Sequence, residues 1–238
     1  MHKLTLFVAL VLMQSVANAQ DGYFVKAGGG VGSSNSSFNI FFDTHNTNHQ
    51  SILSGQGLVN IGRSYSNWQL EVGIGYLVTG LSFVLGPGGT GGCVVGPNPN
   101  PIINSQKNSV KYTISNPHLV LPLVVSYVPK IKSKFSVSPG IGLEALYNFQ
   151  GKMTATGLNE ASGLTMDYKY NSIAAAVLLQ LNFQYKINKN VGVCCSPSFQ
   201  KMITSLTTNV SGDYMSRIYD HAVLVNVGVK YNFLKKSS

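Results

Sequence analysis

The chain has 238 residues, a formal net charge of +9 and a mean hydropathy of +0.13. Only 11% of its residues are charged, against about 25% in an ordinary globular domain, while Gly (25), Tyr (12) and Phe (11) are abundant, so part of the surface is expected to face something other than water. The basic residues form no concentrated stripe, which speaks against nucleic acid as a partner, and three cysteines without CxxC or His/Cys spacing offer neither a disulfide framework nor a metal set.

Residues 1–19 read as a signal peptide. Lys3 supplies the positive charge, an apolar run follows from Leu4 to Met13, and Ala17-Asn-Ala19 is the small-x-small cleavage pattern. Removal of Lys3 would leave a charge of +8. No later window of 18 apolar residues exists, so the remainder, residues 20–238, is expected to contain no membrane helix.

Eight segments then alternate with the two-residue period of strands. In residues 22–33, Tyr23, Val25, Ala27 and Val31 oppose Phe24, Lys26, Gly28 and Gly30. In residues 56–66, Val59, Ile61 and Tyr65 oppose Gln56, Asn60 and Ser64. The third, residues 68–83, sets Trp68, Leu70, Val72, Ile74, Tyr76 and Val78 against Gln69, Glu71, Gly73, Gly75 and Thr79. The fourth, residues 110–128, keeps Leu119, Leu121, Leu123, Val125 and Tyr127 in register, facing away from His118, Pro122 and Ser126. Tyr112 and Ile114 fall out of that phase, which predicts a bulge or bend near Asn116-Pro117.

The fifth segment, residues 135–149, places Phe135, Val137, Ile141, Leu143 and Tyr147 opposite Ser136, Ser138, Gly140, Gly142 and Glu144. The sixth, residues 166–187, places Ile173, Val177, Leu179, Leu181, Phe183 and Tyr185 opposite Ser172, Ala174, Gln180, Asn182 and Gln184. The seventh, residues 191–203, alternates Val191, Val193, Cys195 and Phe199 with Gly192, Cys194, Ser196, Ser198 and Gln200. The last, residues 218–234, alternates Val223, Val225, Val227, Val229, Tyr231 and Phe233 with Ala222, Asn226, Gly228, Lys230 and Asn232.

The faces choose the architecture. A soluble barrel turns its apolar face inward and needs a charged exterior. Here the polar faces hold Gly, Ser, Gln and Asn with isolated Lys26, Glu71, Glu144 and Lys230, which is the composition of a filled lumen. The apolar faces carry aliphatic residues between terminal aromatics, as the lipid-facing band and girdles of a membrane barrel do. The fold expected is therefore all-β, an eight-stranded antiparallel up-and-down transmembrane β-barrel. Lys26 and Lys230 are expected to find carboxylates across the bore, because a buried charge without a partner is costly.

Connections alternate in length. Short ones lie near Asn67 and at residues 129–134 and 188–190; long ones at 34–55, 86–109, 150–165 and 204–217. This predicts turns at the periplasmic end, loops outside, and both chain ends periplasmic. Lys130, Lys132, Lys134, Lys186, Lys189, Lys235 and Lys236 then share the turn end. Cys194 and Cys195 would point to opposite faces of one strand, and a bridge from Cys93 remains open.

Chemistry-bearing constellations are sparse. Gly86-Pro-Gly-Gly-Thr-Gly-Gly92 lacks the Gly-Lys-Ser/Thr ending of a phosphate loop and reads as an external loop, continued by Pro97-Asn-Pro-Asn-Pro101. His45 and His49 lack a third metal ligand. A catalytic serine would need His118 or His221 beside a serine and a carboxylate such as Glu144, a combination generic in a lumen filled with serine. Catalytic, cofactor and metal sites are accordingly expected to be absent. Pro117 and Pro122 suggest a lateral opening in the wall, with an unbroken ladder and a filled lumen as the contrary outcome.

The opening Gly22-Tyr-Phe-Val-Lys-Ala-Gly-Gly-Gly30 and the stretches Trp68-Gln-Leu-Glu-Val-Gly-Ile-Gly-Tyr76, Val137-Ser-Pro-Gly-Ile-Gly-Leu-Glu144 and Val227-Gly-Val-Lys-Tyr-Asn-Phe233 resemble the outer-membrane β-barrel domain family, in particular small OmpX- and PorT-like barrels of its Bacteroidetes members. The resemblance covers almost all of residues 20–238 and implies assembly from the periplasm by the barrel-assembly machinery into outer-membrane lipid. The final aromatic of that family is matched by Phe233, although residues 234–238 follow it. The functional expectation is a non-enzymatic anchor displaying external loops, with an extracellular ligand of those loops as candidate partner. The alternatives are a narrow channel or binding protein for a small or apolar ligand, and a soluble exported barrel of lipocalin type.

Overall fold

The computed structural model describes residues 22–40, 47–85, 110–129, 133–149, 151–156, 163–164, 171–206 and 215–233. Residues 1–19, read from the sequence as a signal peptide, the Gly86–Gly92 motif, Cys93, His45, Lys130, Lys132, Lys235 and Lys236 lie outside these residues. Ten strands form one sheet: β1 (Tyr23–Ile40), β2 (Thr47–Tyr65), β3 (Trp68–Leu85), β4 (Val110–Tyr127), β5 (Phe135–Asn148), β6 (Lys152–Thr156), β7 (Gly163–Leu164), β8 (Ile173–Lys186), β9 (Val191–Met202) and β10 (Met215–Phe233).

Eight of them close the barrel. Each pairs antiparallel with its chain neighbours in the order β1-β2-β3-β4-β5-β8-β9-β10, and β10 returns to β1 from Tyr23↔Phe233 to Phe38↔Ile218. Closure leaves no unpaired edge along the wall. The short β6 pairs with the loop-end half of β4, from Lys111↔Thr156 to Ser115↔Lys152, and β7 pairs with β6. This pair occupies part of the connection read from the sequence as a loop over residues 150–165.

Alternation places the faces as the sequence predicts. Ile74, Val225 and Val227 are 53, 45 and 61% exposed on the outside, while Glu71, Glu144 and Lys230 are buried within. Aromatic pairs rim the turn end of the exterior: Tyr23 opposes Phe233, Tyr65 opposes Trp68, Trp68 opposes Tyr127 and Phe135 opposes Tyr185. Trp68 and Tyr127 meet edge to face at 5.2 Å, and the Arg63 guanidinium lies 4.1 Å from the centre of the Tyr65 ring. A second group, Tyr76, Tyr147 and Phe149, sits toward the loop end. Trp68 to Tyr76 is about 26 Å of strand and Phe135 to Tyr147 about 40 Å at about 3.3 Å per residue. Once tilted, those lengths bracket an apolar band of about 25 Å.

Three sequence expectations are corrected. First, β4 itself carries no extra residue near Asn116-Pro117: its register with β3 is the same on both sides, from Trp68↔Tyr127 to Leu85↔Val110. The irregularity there lies on the other edge, where His118↔Asn148 gives way to Ser115↔Lys152 with the extra residue between β5 and β6. Ile114, Asn116 and His118 are all buried on the lumen face, so Ile114 is out of phase with the exterior because it belongs inside. Further register shifts fall in the β2–β3 pair between Ser51 and Gly55 and in the β1–β10 pair between Phe38 and Ile40.

Second, much of the segment read as a loop over residues 34–55 is strand, since β1 reaches Ile40 and β2 starts at Thr47. Its Ser- and Asn-rich composition reads as loop, yet Ser34 and Ser36 turn inward and make buried hydrogen bonds.

Third, the prolines of β4 open no gap. Pro122 removes a backbone donor, and the β3–β4 pairing lapses opposite Leu121 and Pro122 but resumes in the same register. The β4–β5 ladder runs unbroken from His118↔Asn148 through Pro122↔Glu144 to Ser126↔Gly140. The lumen behind it is filled.

Candidate functional site

The bore is organised in layers that follow from the lumen-facing residue at each step along the strands. At the loop end of β10, Asp220 is fully buried and gathers donors from three other strands. It accepts from Ser36 of β1, from Thr79 of β3 and, at 3.0 Å, from Asn116 of β4, while His118 Nε2 stands 3.8 Å away. His118 shares a 2.8 Å contact with Thr79 Oγ1 and a 2.7 Å contact with Asn148 Oδ1 of β5. Asn148 in turn donates to the Asn171 carbonyl at 2.6 Å. The cluster ties five strands, and through Asn171 the residues ahead of β8, by hydrogen bonds in a medium where unsatisfied polar groups are expensive.

Beneath it lies an apolar layer. Leu77, Val120, Leu146, Ala174, Ala176, Met202, Leu206, Ala222 and Leu224 form one buried cluster. Leucine, valine and methionine at these lumen positions add an apolar layer to the polar, filled lumen expected. Eight strands leave a bore that side chains can fill, and here leucine and valine fill it.

Next toward the turn end come the charges. Lys26 of β1 pairs with Glu71 of β3 at 3.5 Å, reaching past β2, and Asn60 of β2 donates to the same carboxylate at 3.0 Å. One expected pairing is thus present. The other is not: Lys230 has no carboxylate within salt-bridge distance among the described residues. It donates to the amide oxygens of Gln69 at 3.0 Å and Gln184 at 3.4 Å, and lies 3.8 Å from the centre of the Phe24 ring. Phe24 reaches that place by lying over Gly62, where a Cβ would come within 2.3 Å of the ring.

Glu144 also lacks the expected lysine. One of its carboxylate oxygens has no hydrogen-bond partner, and neither amide atom of Gln200, which approaches it from β9, makes a hydrogen bond of normal geometry. The reason is height: Glu144 stands opposite Pro122 and Ala176, whereas Lys26 is committed to Glu71. Glu144→Gln is therefore expected to leave stability unchanged or raise it, since it replaces an uncompensated buried acid by a neutral isostere. Urea unfolding midpoints in lipid vesicles would check this, and a loss above about 1 kcal/mol would indicate an ionised, paired Glu144.

The residues weighed for catalysis separate. Both ring nitrogens of His118 are engaged by Thr79 and Asn148, Glu144 is not its partner, and the imidazole is wholly buried. His221 is on the opposite face of the wall, in phase with Val223 and only partly buried. Of His49 only the backbone is described, paired with Phe83. Cys194 faces the lumen and Cys195 the exterior, and both are free thiols. Sequence reasoning missed Asp220, although the phase of Asn226, Leu224 and Ala222 extended by one more inward step reaches it.

The turn end opens into a cavity of about 950 Å³. Its walls come from the ends of β2 and β3 (Ser64, Gln69), from β4 and β5 (Pro129, Ser136), from β8 and β9 (Gln184, Lys186, Lys189) and from β10 (Lys230, Asn232). Tight turns bring these ends together; Ser66, in the two-residue β2–β3 connection, takes φ +50°, a left-handed conformation suited to such a hairpin.

A closed antiparallel barrel with an apolar exterior, aromatic rims and a polar, filled interior is a transmembrane β-barrel in architecture. No family model and no curated protein matches the sequence. Among solved structures, the chain is similar to Neisserial surface protein A (NspA), with 10% identity, a TM-score of 0.45 and coverage of 89% of this chain and 97% of that one. It is similar to the outer membrane protein OprG from Pseudomonas aeruginosa, with 12% identity, a TM-score of 0.46 and coverage of 90% and 97%. A third likeness is to the outer membrane protease OmpT from Escherichia coli, with 9% identity, a TM-score of 0.45 and coverage of 91% and 99%. At these values the likenesses carry no argument about what this chain does.

Proposed function

We propose that this chain is a non-enzymatic protein of a bacterial outer membrane, an anchor whose barrel holds its long connections outside the cell and both chain ends in the periplasm. The observation that carries the reading is the pairing of an exposed aliphatic band outside with a buried apolar cluster inside. The first calls for lipid, and the second, drawn from six of the eight wall strands, opposes a continuous aqueous path. The strand motifs that resemble the outer-membrane β-barrel domain family support the same placement, and with it dependence on the barrel-assembly machinery.

Purified protein reconstituted in a planar bilayer is expected to give no discrete conductance steps. Regular single-channel steps would overturn the plugged anchor in favour of a narrow channel. Extraction from membranes should require detergent, and mobility on a semi-native gel should change on heating; recovery of the folded protein in buffer alone would favour a soluble barrel instead.

A further inference from the structure

We infer that the turn-end mouth of the bore is a binding site for a small phosphate-bearing anion. The cavity there, about 950 Å³, lies within the range of about 300–1,000 Å³ usual for small-molecule sites. Four lysines line it, Lys134, Lys186, Lys189 and Lys230, and among the described residues no acid lines it. Elsewhere in the bore a buried lysine has its carboxylate, as Lys26 has Glu71. Lys230 does not.

That lysine is the feature that singles out the mouth. It is 2% exposed, and a buried ammonium is costly unless paired. Its direct contacts are neutral, two amide oxygens and an aromatic face, and the nearest acid, Glu71, acts on it only through space while held by Lys26 and Asn60. Those contacts hold the ammonium in place, with two donors on the amide oxygens and the aromatic ring against it. An anion entering the mouth would provide a countercharge in direct contact, flanked by the exposed Lys134, Lys186 and Lys189. Serine hydroxyls at Ser64, Ser133 and Ser136 add neutral donors.

The chemistry favours phosphate over a single carboxylate. Lysines act as compact point charges suited to a multiply charged group, and the site contains no arginine fork for a planar carboxylate. Val128, Pro129 and Ile187 give one side of the cavity apolar surface for the body of an organic phosphate. The phosphate could come from a free solute or from a lipid headgroup, and the experiment separates the two.

The full chain in a neutral detergent, in chloride-free buffer, would be titrated with inorganic pyrophosphate by calorimetry. Saturable binding of one equivalent is expected, weakening as salt is added. Lys230→Met and Lys186→Ser should each lower the affinity at least tenfold. Lys201→Ser removes an exposed lysine outside the cavity and should leave it unchanged. Heat-modified gel mobility would establish that each variant is folded, and Lys134→Ser with Lys189→Ser, both on exposed turn residues, replaces Lys230→Met if that variant fails to fold.

No saturable binding, or equal losses in the Lys201 and Lys186 variants, would overturn the proposal. Displacement of pyrophosphate by one equivalent of phosphatidylglycerol would identify the headgroup as the source; failure to displace it would identify a free solute. Neither loop display nor conductance enters these readings, so failure here leaves the anchor function standing.

Discussion

Asp220→Ala is expected to destabilise the barrel by roughly 3–5 kcal/mol, the range for breaking a buried polar network by removing its charged centre. Asp220 accepts hydrogen bonds from Ser36, Thr79 and Asn116 and faces His118, and all of these side chains sit on strands that must stay in register. Alanine would leave those donors buried and unpaired, each costing about 1–3 kcal/mol if the site could not relax. Relaxation and entering water will recover part of this, which keeps the total below the sum. Asp220→Asn keeps the shape and one acceptor but turns an NH2 group toward donors, so an intermediate loss is expected. Urea unfolding in lipid vesicles would measure both. A difference below about 0.5 kcal/mol for the alanine variant would mean that the cluster does not form in the folded protein.

The second large effect concerns the outer surface. Val227→Arg is expected to cost about 2–4 kcal/mol, the penalty for a cation at the middle of the lipid face of a barrel. Val227 is 61% exposed on β10, between Tyr231 toward the turn end and Val223 toward the loop end. In water such a substitution at an exposed site would change stability by less than about 0.5 kcal/mol. Ser37→Arg, at an exposed position nearer the loop end of the neighbouring strand, provides the control and should cost no more than about 1 kcal/mol. Equal, small effects at both sites would place the whole exterior in water and sink the membrane reading.

These two experiments probe the two halves of one argument. The Val227 variant asks what lies outside the barrel, and the Asp220 variant asks what fills it. An outcome in which the exterior tolerates arginine while the Asp220 cluster holds would describe a stable soluble barrel with a polar core. The reverse outcome would describe a membrane wall around a looser bore, the condition under which conduction becomes expected.

Legibility differed sharply between the wall and the interior. Trp68 to Val78 in β3 and Val223 to Phe233 in β10 alternate so regularly that their outward faces follow from the sequence. The wrong readings cluster where composition competes with phase. Ile114 is apolar yet shares the inward phase of His118, so it suggested a bulge, but it is buried on a lumen face of β4 that also carries Val120 and Val124. Asn35, Ser36 and Ser37 look like a loop, yet they extend β1 because Ser36 has Asp220 to meet.

What the sequence determined by itself is the direction of each side chain relative to the wall, because successive residues of a strand point to opposite faces and this period is local. From it follow the strand count, the apolar exterior, the polar lumen and the opposite placement of Cys194 and Cys195. What only the tertiary structure decided is which lumen residues share a height. That depends on the registers of all eight strands around the closed barrel, none of which is encoded in any one of them. Lys26 thereby meets Glu71, Asp220 meets Thr79 and Asn116, Glu144 is left beside Pro122, and Lys230 closes the floor of a lysine-lined mouth without an acid to answer it.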